Sequence, residues 1–322
     1  MNYTFTSIFA EEFGNYMDFI HSANRTTDHV KSVLTRLDRF LVCKNVCEKQ
    51  LTQKLIYQWI SSQQVKSITK KTILRRLRGF LKYLIALGYK GIELPDVPLS
   101  DSSGYVPHIF SDDELSRIVC VADNYTIRYL NARINIIMPI LIRLLYCCGI
   151  RLGEALLLRW CDICLNSGLI RILKAKNVKQ RQIPITPSMS ELLRLFRESD
   201  FFDSEKDYLF SNKQGIPYSQ TLIRHHFAKI LTLADIPNVK THKFERGVCL
   251  HCFRHTFVMQ SFLKSESEGR TFEENIPYLS AYLGHEGVME TDKYLRANYL
   301  MYTDEHEKIS NYTDSVFPEV SC

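Results

Sequence analysis

The stretch LIRILKAKNVKQRQIPI, residues 169–185, decides the fold class. Its apolar residues form two short runs on either side of residues 175–178, and this pattern predicts two strands joined by a turn. Pro184 suits a strand end or an edge strand, because proline has no N–H to donate to a sheet. Elsewhere the apolar residues recur mainly at helical spacing. The sequence therefore predicts a mainly α protein with one small antiparallel sheet or hairpin.

A stretch rich in turn residues divides the chain. GIELPDVPLSDSSGYVPHIFSD, residues 91–112, holds three prolines and a DSSG cluster, which is typical of an interdomain linker. We therefore expect four parts: a helical domain at 1–90, a linker at 91–108, a second domain at 109–299 and a tail at 300–322.

Within the second domain, Ser111 precedes three acidic residues and is a predicted helix N-cap. Helical spacing continues from there to about Arg159. We expect a long helical region before the hairpin, and further helices from residue 188 to about residue 300.

The first domain has helical spacing at residues 5–21, 28–42, 50–61 and 68–88. In the last of these segments one face is apolar, with Ile73, Leu77, Phe80, Leu81 and Leu84. Another face is cationic, with Lys71, Arg75, Arg78 and Lys82. Seven basic residues and no acidic residue lie between Lys66 and Lys82.

The net positive charge of the chain is concentrated in that first domain. The whole chain has a net charge of +6, whereas residues 1–100 carry 15 Lys and Arg against 8 Asp and Glu, a net charge of +7. A cationic helix face without acids suits a phosphate backbone, because each neutralised phosphate releases counterions. A solvated helix face is the alternative, although such faces usually mix acids with bases. The candidate DNA-binding residues are Lys70, Lys71, Arg75, Arg78 and Lys82.

The N-terminal segment has acidic residues where a signal peptide needs basic ones, and the apolar run between Arg133 and Arg143 is too short to span a bilayer. We expect a cytoplasmic protein without membrane association. The ten cysteines are expected to be reduced and mostly buried, since a chain of this length does not depend on disulfides.

Two motifs place arginines in apolar surroundings. CGIRLGEALLL, residues 148–158, sets Arg151 three residues before Glu154. The two side chains suit an internal ion pair, but a guanidinium also has donors for a phosphate. In LHCFRHTF, residues 250–257, helical spacing places His251 on one face with Arg254 and His255.

The hairpin also concentrates cations, at Lys174, Lys176, Lys179 and Arg181. Exposed hairpins often carry lysines without a function. Lys176 falls at the turn, where a flexible ammonium group can reach a neighbouring group.

Four cysteines form two CxxC pairs, Cys161 with Cys164 and Cys249 with Cys252. Such a set is formally a four-thiolate zinc pattern. The 84 residues between the pairs and the helical or apolar sequence around them favour small buried thiols instead.

Six residues taken in order resemble the active-site signature of the tyrosine recombinases, also called the phage integrase family: Arg151, Lys176, His251, Arg254, His285 and Tyr294. The motifs are GIRLGE, a hairpin lysine eight residues before a proline, HCFRHTF, and LGH followed by a tyrosine. The match covers the whole second domain. The first domain is similar to the family's helical core-binding (SAM-like) domain, and the two-domain architecture with its tail is Xer-like.

The resemblance implies a site-specific DNA recombinase or integrase that cuts and rejoins DNA through a covalent 3′-phosphotyrosine intermediate. It implies no metal and no other cofactor. The roles it implies are nucleophile for Tyr294, phosphate contacts for Arg151, Arg254 and His285, assistance in proton transfer for His251, and protonation of the departing 5′ oxygen for Lys176.

The resemblance further implies partners and a location. These are a double-stranded recombination site, a homotetramer on DNA, a possible partner recombinase or accessory DNA-bending protein, and a prokaryotic cytoplasm with nucleoid association on DNA. An amphipathic stretch at residues 302–316 of the tail could dock on a neighbouring subunit or fold back on its own domain.

The sequence also departs from the family pattern. SESEGRTFEEN, residues 265–275, resembles an inserted loop, and Glu290 and Asp292 stand close before the tyrosine. Two alternatives therefore stay open. One is a recombinase-like DNA-binding or accessory protein with little cleavage activity, and the other is a zinc-stabilised regulator.

Overall fold

A computed structural model of the 322-residue chain describes residues 4–23, 27–96, 107–126, 132–173, 180–199, 204, 207–238 and 247–284. The chain divides into two compact units, Met1–Gly104 and Tyr105–Cys322. Eleven helices and one three-stranded sheet are found in the described residues. The predicted fold class, mainly α with a small antiparallel sheet, is confirmed.

The first unit contains four described helices: α1 Ala10–Ser22, α2 Asp28–Cys43, α3 Gln53–Ser62 and α4 Ser67–Ala86. They lie at the four segments that show helical spacing. The apolar face of α4 is buried as predicted, and Phe80 packs on Phe13 of α1 with ring centroids 4.9 Å apart. Trp59 of α3 is fully buried in the same core.

Two buried carboxylates fix the chain around α1. The carboxylate of Asp38, on α2, accepts hydrogen bonds from the backbone N–H groups of Thr6 and Ser7, at 3.1 and 2.9 Å. Glu12 accepts from Lys49 Nζ at 2.8 Å and from the Tyr89 hydroxyl at 2.6 Å. These bonds hold the segments before α1 and after α4 onto helices α2 and α1.

The described helices of the second unit are α5 Asp112–Asp123, α6 Ala132–Cys148, α7 Leu152–Ala155, α8 Pro187–Arg197, α9 Gln220–Leu233, α10 His251–Ser267 and α11 Phe272–Leu283. Ser111 caps α5 as predicted, in a capping box with Glu114. One continuous apolar core joins α5, α6, α9 and α10 to the sheet, so α10 is packed from several sides.

The sheet has the order β1-β2-β3, with β1 Ile163–Cys164, β2 Leu169–Ile172 and β3 Arg181–Pro184. Both pairings are antiparallel, and Leu169 on β2 faces Pro184 on β3. Pro184 ends the edge strand β3, as its missing N–H predicts.

Two predictions about helix limits are wrong. The helical region does not run unbroken to Arg159, because α6 ends at Cys148 and Gly149 adopts a left-handed φ of +57°. Only residues 268–271 of the stretch at 265–275 lie outside a helix. Its first residues complete α10 and its last begin α11, where Thr271 and Glu274 form a capping box.

The expectation of mostly buried thiols is also wrong. All nine described cysteines are free, but five of them are exposed: Cys43, Cys47, Cys120, Cys161 and Cys164. Burial raises the pKa of the Cys148 thiol to about 12. No helix within the described ranges combines the length and apolarity needed to cross a bilayer.

Candidate active site

The first element of the site is the sharp turn at Gly149 that presents Arg151. A Cβ at Gly149 would lie 2.4 Å from the Phe257 ring, and the φ of +57° also favours glycine. The turn separates α6 from the short helix α7, and Arg151 stands at the N-terminal end of α7. Its side chain is 35% exposed, so the guanidinium is both anchored and accessible.

Glu154 lies behind Arg151 and binds two arginines. Its carboxylate accepts from Arg151 Nη1 at 3.2 Å and from the Arg151 backbone N–H at 3.1 Å, which confirms the internal ion pair. It also accepts from Arg181 Nη2 at 2.7 Å and from Arg181 Nη1 at 3.2 Å. Burial raises the pKa of Glu154, but the hydrogen bonds and charge of Arg181, and then of Arg151, outweigh it, so the pKa lies below the ordinary value.

Arg254 comes from α10 and is 1% exposed. Its Nη1 donates to the Gly149 carbonyl at 2.8 Å, and its Nη2 donates to the Leu283 carbonyl at 2.9 Å. Arg254 therefore joins the Gly149 turn to the end of α11. Buried guanidinium groups need such acceptors, because an unpaired buried charge is costly.

The last turn of α11 receives all three arginines. Leu283 O also accepts from Arg151 Nη1 at 3.5 Å, and Tyr282 O accepts from Arg181 Nε at 2.8 Å. Cations are favourable here, because the final carbonyl groups of a helix have no partner in the helix and carry partial negative charge. Gly284 then ends the helix in a left-handed conformation, with a φ of +65°. The next residue is His285.

Two histidines stand at the start of α10. His251 is its first residue and is exposed, and His255 is half-buried one turn later. Their rings meet edge to face with centroids 4.8 Å apart. The shared helix face predicted for them is confirmed, whereas Arg254 points into the protein.

Three residues of the predicted signature lie outside the described residues: Lys176, His285 and Tyr294. The structure does describe the strands β2 and β3, which flank Lys176 in the sequence, and Gly284, which precedes His285. Glu290, Asp292 and the tail at residues 300–322 also lie outside.

Sequence reasoning missed Arg181 as part of this site and treated it as one of four hairpin cations. Its side chain is 8% exposed, unlike an ordinary surface arginine. A usable signal was its position two residues before the apolar Ile183, because alternate residues of a strand lie on the same face.

The cysteine pairs do not form a metal site in the described residues, which include all four thiols. No group of three or more His, Cys, Asp or Glu side chains that could hold a metal ion is found there. Cys249 and Cys252 have their Sγ atoms 3.9 Å apart. A hydrogen bond with Cys249, and burial, raise the pKa of Cys252.

A separate candidate, for nucleic-acid binding, lies on α4 in the first unit. Arg75, Arg78 and Lys82 are exposed, while Lys70 and Lys71 are half-buried. Lys71 Nζ lies 4.0 Å from an Asp96 carboxylate oxygen. The predicted separation of α4 into an apolar and a cationic face is confirmed.

Comparison with known proteins identifies a family for the second unit. The model of the phage integrase family matches residues 109–301, which is more than half of the chain. The chain is also 24% identical over 300 residues to a tyrosine recombinase of Pseudothermotoga lettingae, covering 87% of this chain and 92% of the relative. It is 26% identical over 259 residues to the tyrosine recombinase XerC of Xanthomonas campestris pv. campestris, covering 78% and 71%.

Solved structures share the fold. The XerH site-specific recombinase bound to palindromic difH substrate, in a post-cleavage complex, superposes with a TM-score of 0.64 at 20% identity, covering 85% of this chain and 77% of XerH. A lambda integrase tetramer bound to a Holliday junction gives 0.60 at 15% identity, covering 87% and 78%. Together with the family match and the arginines gathered at the end of α11, these similarities show that the chain belongs to the phage integrase family, the tyrosine recombinases.

Proposed function

We propose that this protein is a site-specific DNA recombinase that cuts and rejoins DNA through a 3′-phosphotyrosine intermediate. The observation that carries the proposal is the cluster of Arg151, Arg181 and Arg254 at the end of α11, directly before His285. A phosphodiester gains negative charge as it is attacked, and fixed cations stabilise that charge.

Arg151 is the best placed phosphate ligand among the described residues. Its side chain is partly exposed, and its Nη1 is held by Glu154 and Leu283 O. The remaining guanidinium donors, on Nε and Nη2, can meet two phosphate oxygens in a bidentate contact. Arg254 is the second proposed phosphate contact, and it also fixes the two segments on which Arg151 rests.

Tyr294 is the proposed nucleophile. A phenol with an ordinary pKa of about 10 must lose its proton during attack, and His251, exposed at the start of α10, is the proposed group that assists. Lys176 would protonate the departing 5′ oxygen, and His285 would donate a hydrogen bond to the phosphate. A phosphotyrosine ester keeps the energy of the broken bond for rejoining.

DNA contacts and assembly complete the proposal. The cationic residues of α4 would bind phosphates of the DNA backbone. Exchange between two duplexes needs four cuts, and a tetramer supplies four nucleophiles. Similar proteins support this arrangement: XerH was solved on its difH substrate, and lambda integrase as a tetramer on a Holliday junction.

The test is covalent capture of DNA. The protein is incubated in EDTA with a pool of nicked suicide duplexes whose binding arms are randomised, and adducts are resolved on a denaturing gel. We expect an adduct with the wild type and none with Tyr294→Phe. Recovered duplexes give a defined substrate for later experiments.

Tyr299→Phe is the matched control, since it removes a hydroxyl five residues away and should keep the adduct. An adduct that persists in Tyr294→Phe contradicts the nucleophile assignment. If the wild type binds duplexes but never forms an adduct, the protein is a DNA-binding or accessory member of the family.

A further inference from the structure

We infer that Arg181 is a positioning residue for strand cleavage, which sets the orientation of Arg151 through Glu154 and fixes the end of α11 before His285. This inference deepens the proposed function and rests on it. Arg181 binds other protein groups and does not itself contact the phosphate.

The geometry of Arg181 shows why its role is indirect. Its three nitrogen atoms all donate within the protein: Nη2 and Nη1 to the Glu154 carboxylate, at 2.7 and 3.2 Å, and Nε to Tyr282 O, at 2.8 Å. The side chain is 8% exposed. A guanidinium engaged and buried in this way has little surface left for DNA.

Glu154 transmits the effect to Arg151. Its side chain is 6% exposed, and the same carboxylate holds both the backbone N–H and Nη1 of Arg151. With Arg181 bound to both oxygens, the carboxylate is fixed in one orientation and its charge is shared between two cations. Without Arg181, a buried carboxylate would draw Arg151 towards itself and away from a phosphate.

Arg181 also occupies the space beside the exit of α11. A Cβ at Gly284 would lie 2.9 Å from Arg181 Nη1 and 3.2 Å from its Cδ. The guanidinium therefore packs against the residue that precedes His285. One side chain on β3 thus connects the hairpin of Lys176, the GIRLGE motif and the LGH motif.

Arginine suits this position better than lysine, because lysine cannot reproduce the contacts. The planar guanidinium makes two parallel bonds to Glu154 and a third, from another edge, to a carbonyl. A lysine ammonium would keep the charge but not the paired orientation. Arg181→Lys should therefore fold and still cleave more slowly than the wild type.

The experiment measures cleavage, binding and stability separately. The variants are Arg181→Gln, Arg181→Lys, Glu154→Gln and the double variant R181Q/E154Q, tested on a suicide duplex recovered with the wild type. The rate of adduct formation is taken at saturating protein, duplex affinity by fluorescence anisotropy on un-nicked DNA, and stability by thermal melting. Arg171→Gln is the matched control, because Arg171 lies on the adjacent strand β2 and bonds Cys161 O.

We expect the double variant to melt like the wild type, since it removes both buried charges and leaves none unpaired. In this double variant the misplacement of Arg151 should lower the rate of adduct formation by on the order of 100-fold. Its duplex affinity should be nearly unchanged. Arg181→Lys should fall in between, and Arg171→Gln should match the wild type. The losses of Arg181→Gln and Glu154→Gln should not add, because both act through one carboxylate.

Several results would overturn the inference. Wild-type adduct rates in either the double variant or Arg181→Lys would show that Arg181 has only a structural role. A loss confined to duplex affinity would make it a DNA-binding residue, and additive losses would mean that it does not act through Glu154. A wild-type protein that forms no adduct fails at the earlier step and overturns the proposed function itself.

Discussion

At the scale of single residues, Gly284 combines two demands in one position. Its φ of +65° disfavours a side chain, and a Cβ would displace Arg181. Gly284→Ala is expected to lower the free energy of unfolding by about 1–2 kcal/mol from the left-handed backbone alone. Because Arg181 must also move, the rate of adduct formation should fall. Urea unfolding and the suicide-duplex assay measure the two effects.

Gly215→Ala is the control for that substitution. Gly215 has a similar φ of +72°, but nothing lies within 4 Å of an added Cβ. It should lose comparable stability and keep its cleavage rate. Equal cleavage rates in the two variants would show that the function of Arg181 does not depend on a glycine at position 284.

Residue identities could be predicted from the sequence better than residue environments. Arg151, His251 and Arg254 stand in recognisable motifs, and the pairing of Arg151 with Glu154 follows from their spacing. The burial of Arg254 could not be predicted, because its acceptors Gly149 O and Leu283 O lie 105 and 29 residues away. The role of Arg181 was hidden for the same reason, since its partners come from α7 and α11.

At the scale of elements, the cationic face of α4 predicts how DNA affinity depends on salt concentration. The variant R75A/R78A/K82A is expected to bind the recovered duplex more weakly. The slope of log affinity against log salt should become shallower by about 0.9 for each phosphate contact removed. Anisotropy titrations at several salt concentrations give this slope.

Lys54→Ala serves as the control for α4, because Lys54 is an exposed lysine on the neighbouring helix α3. It should leave the slope unchanged. An unchanged slope in the triple variant as well would mean that the α4 face is only solvated.

A buried histidine on α9 binds the segment that follows α5, and it makes stability depend on pH. The Tyr125 hydroxyl lies 2.9 Å from His226 Nδ1. Burial, and then the charges of His225 and Lys229, lower the pKa of His226 below 6.5. The unfolded chain therefore binds a proton at a higher pH than the folded chain does. Stability is fully present above pH 6.5 and falls as the pH drops below it, by up to about 1.4 kcal/mol for each unit of pKa lowering.

Urea unfolding of the wild type and of His226→Gln between pH 5 and 8 checks this prediction. Glutamine offers Tyr125 a hydrogen bond without titrating, so the variant should lack this part of the pH dependence. The outcome that contradicts the prediction is the same pH profile in both proteins. His225→Gln, which changes the adjacent exposed histidine, should keep most of the wild-type profile.

The sequence predicted which segments are helices and strands better than it predicted where those elements begin and end. The period change at residues 169–185 and the cap at Ser111 were local signals, and both were confirmed. The end of α6 at Gly149 was missed because its surroundings are apolar and helix-forming, and the Phe257 ring that excludes a side chain there comes from α10. The segment at residues 265–275 looked like a loop by composition, although its Thr and Glu form a helix cap.

At the scale of the whole molecule, the proposed exchange reaction makes a prediction about assembly. A four-way junction built from the recovered duplex should recruit four copies of the protein, because each arm offers one binding site. Mass photometry of Tyr294→Phe on this junction measures the number of copies without cleavage. A linear duplex of the same arms should carry no more than two. If junctions never carry more than one copy, the tetrameric synapse is wrong.

Overall charge and family could be inferred from the sequence, whereas the assembled site could not. The net charge of +7 in the first 100 residues pointed to nucleic acid, and six ordered residues pointed to the family. The packing of three arginines around one helix end depends on contacts between distant parts of the chain. Such contacts leave no periodic signal in a single sequence.

The contacts at the end of α11 also have a consequence for protein synthesis. Arg151, Arg181 and Arg254 are translated before Tyr282 and Leu283, whose carbonyls they bind. A nascent chain that stops short of these acceptors already carries the whole cationic face of α4 but cannot complete the arrangement around Arg151. Truncated translation products would therefore retain the cationic face of α4 but lack the carbonyl groups that hold Arg151, Arg181 and Arg254 in place.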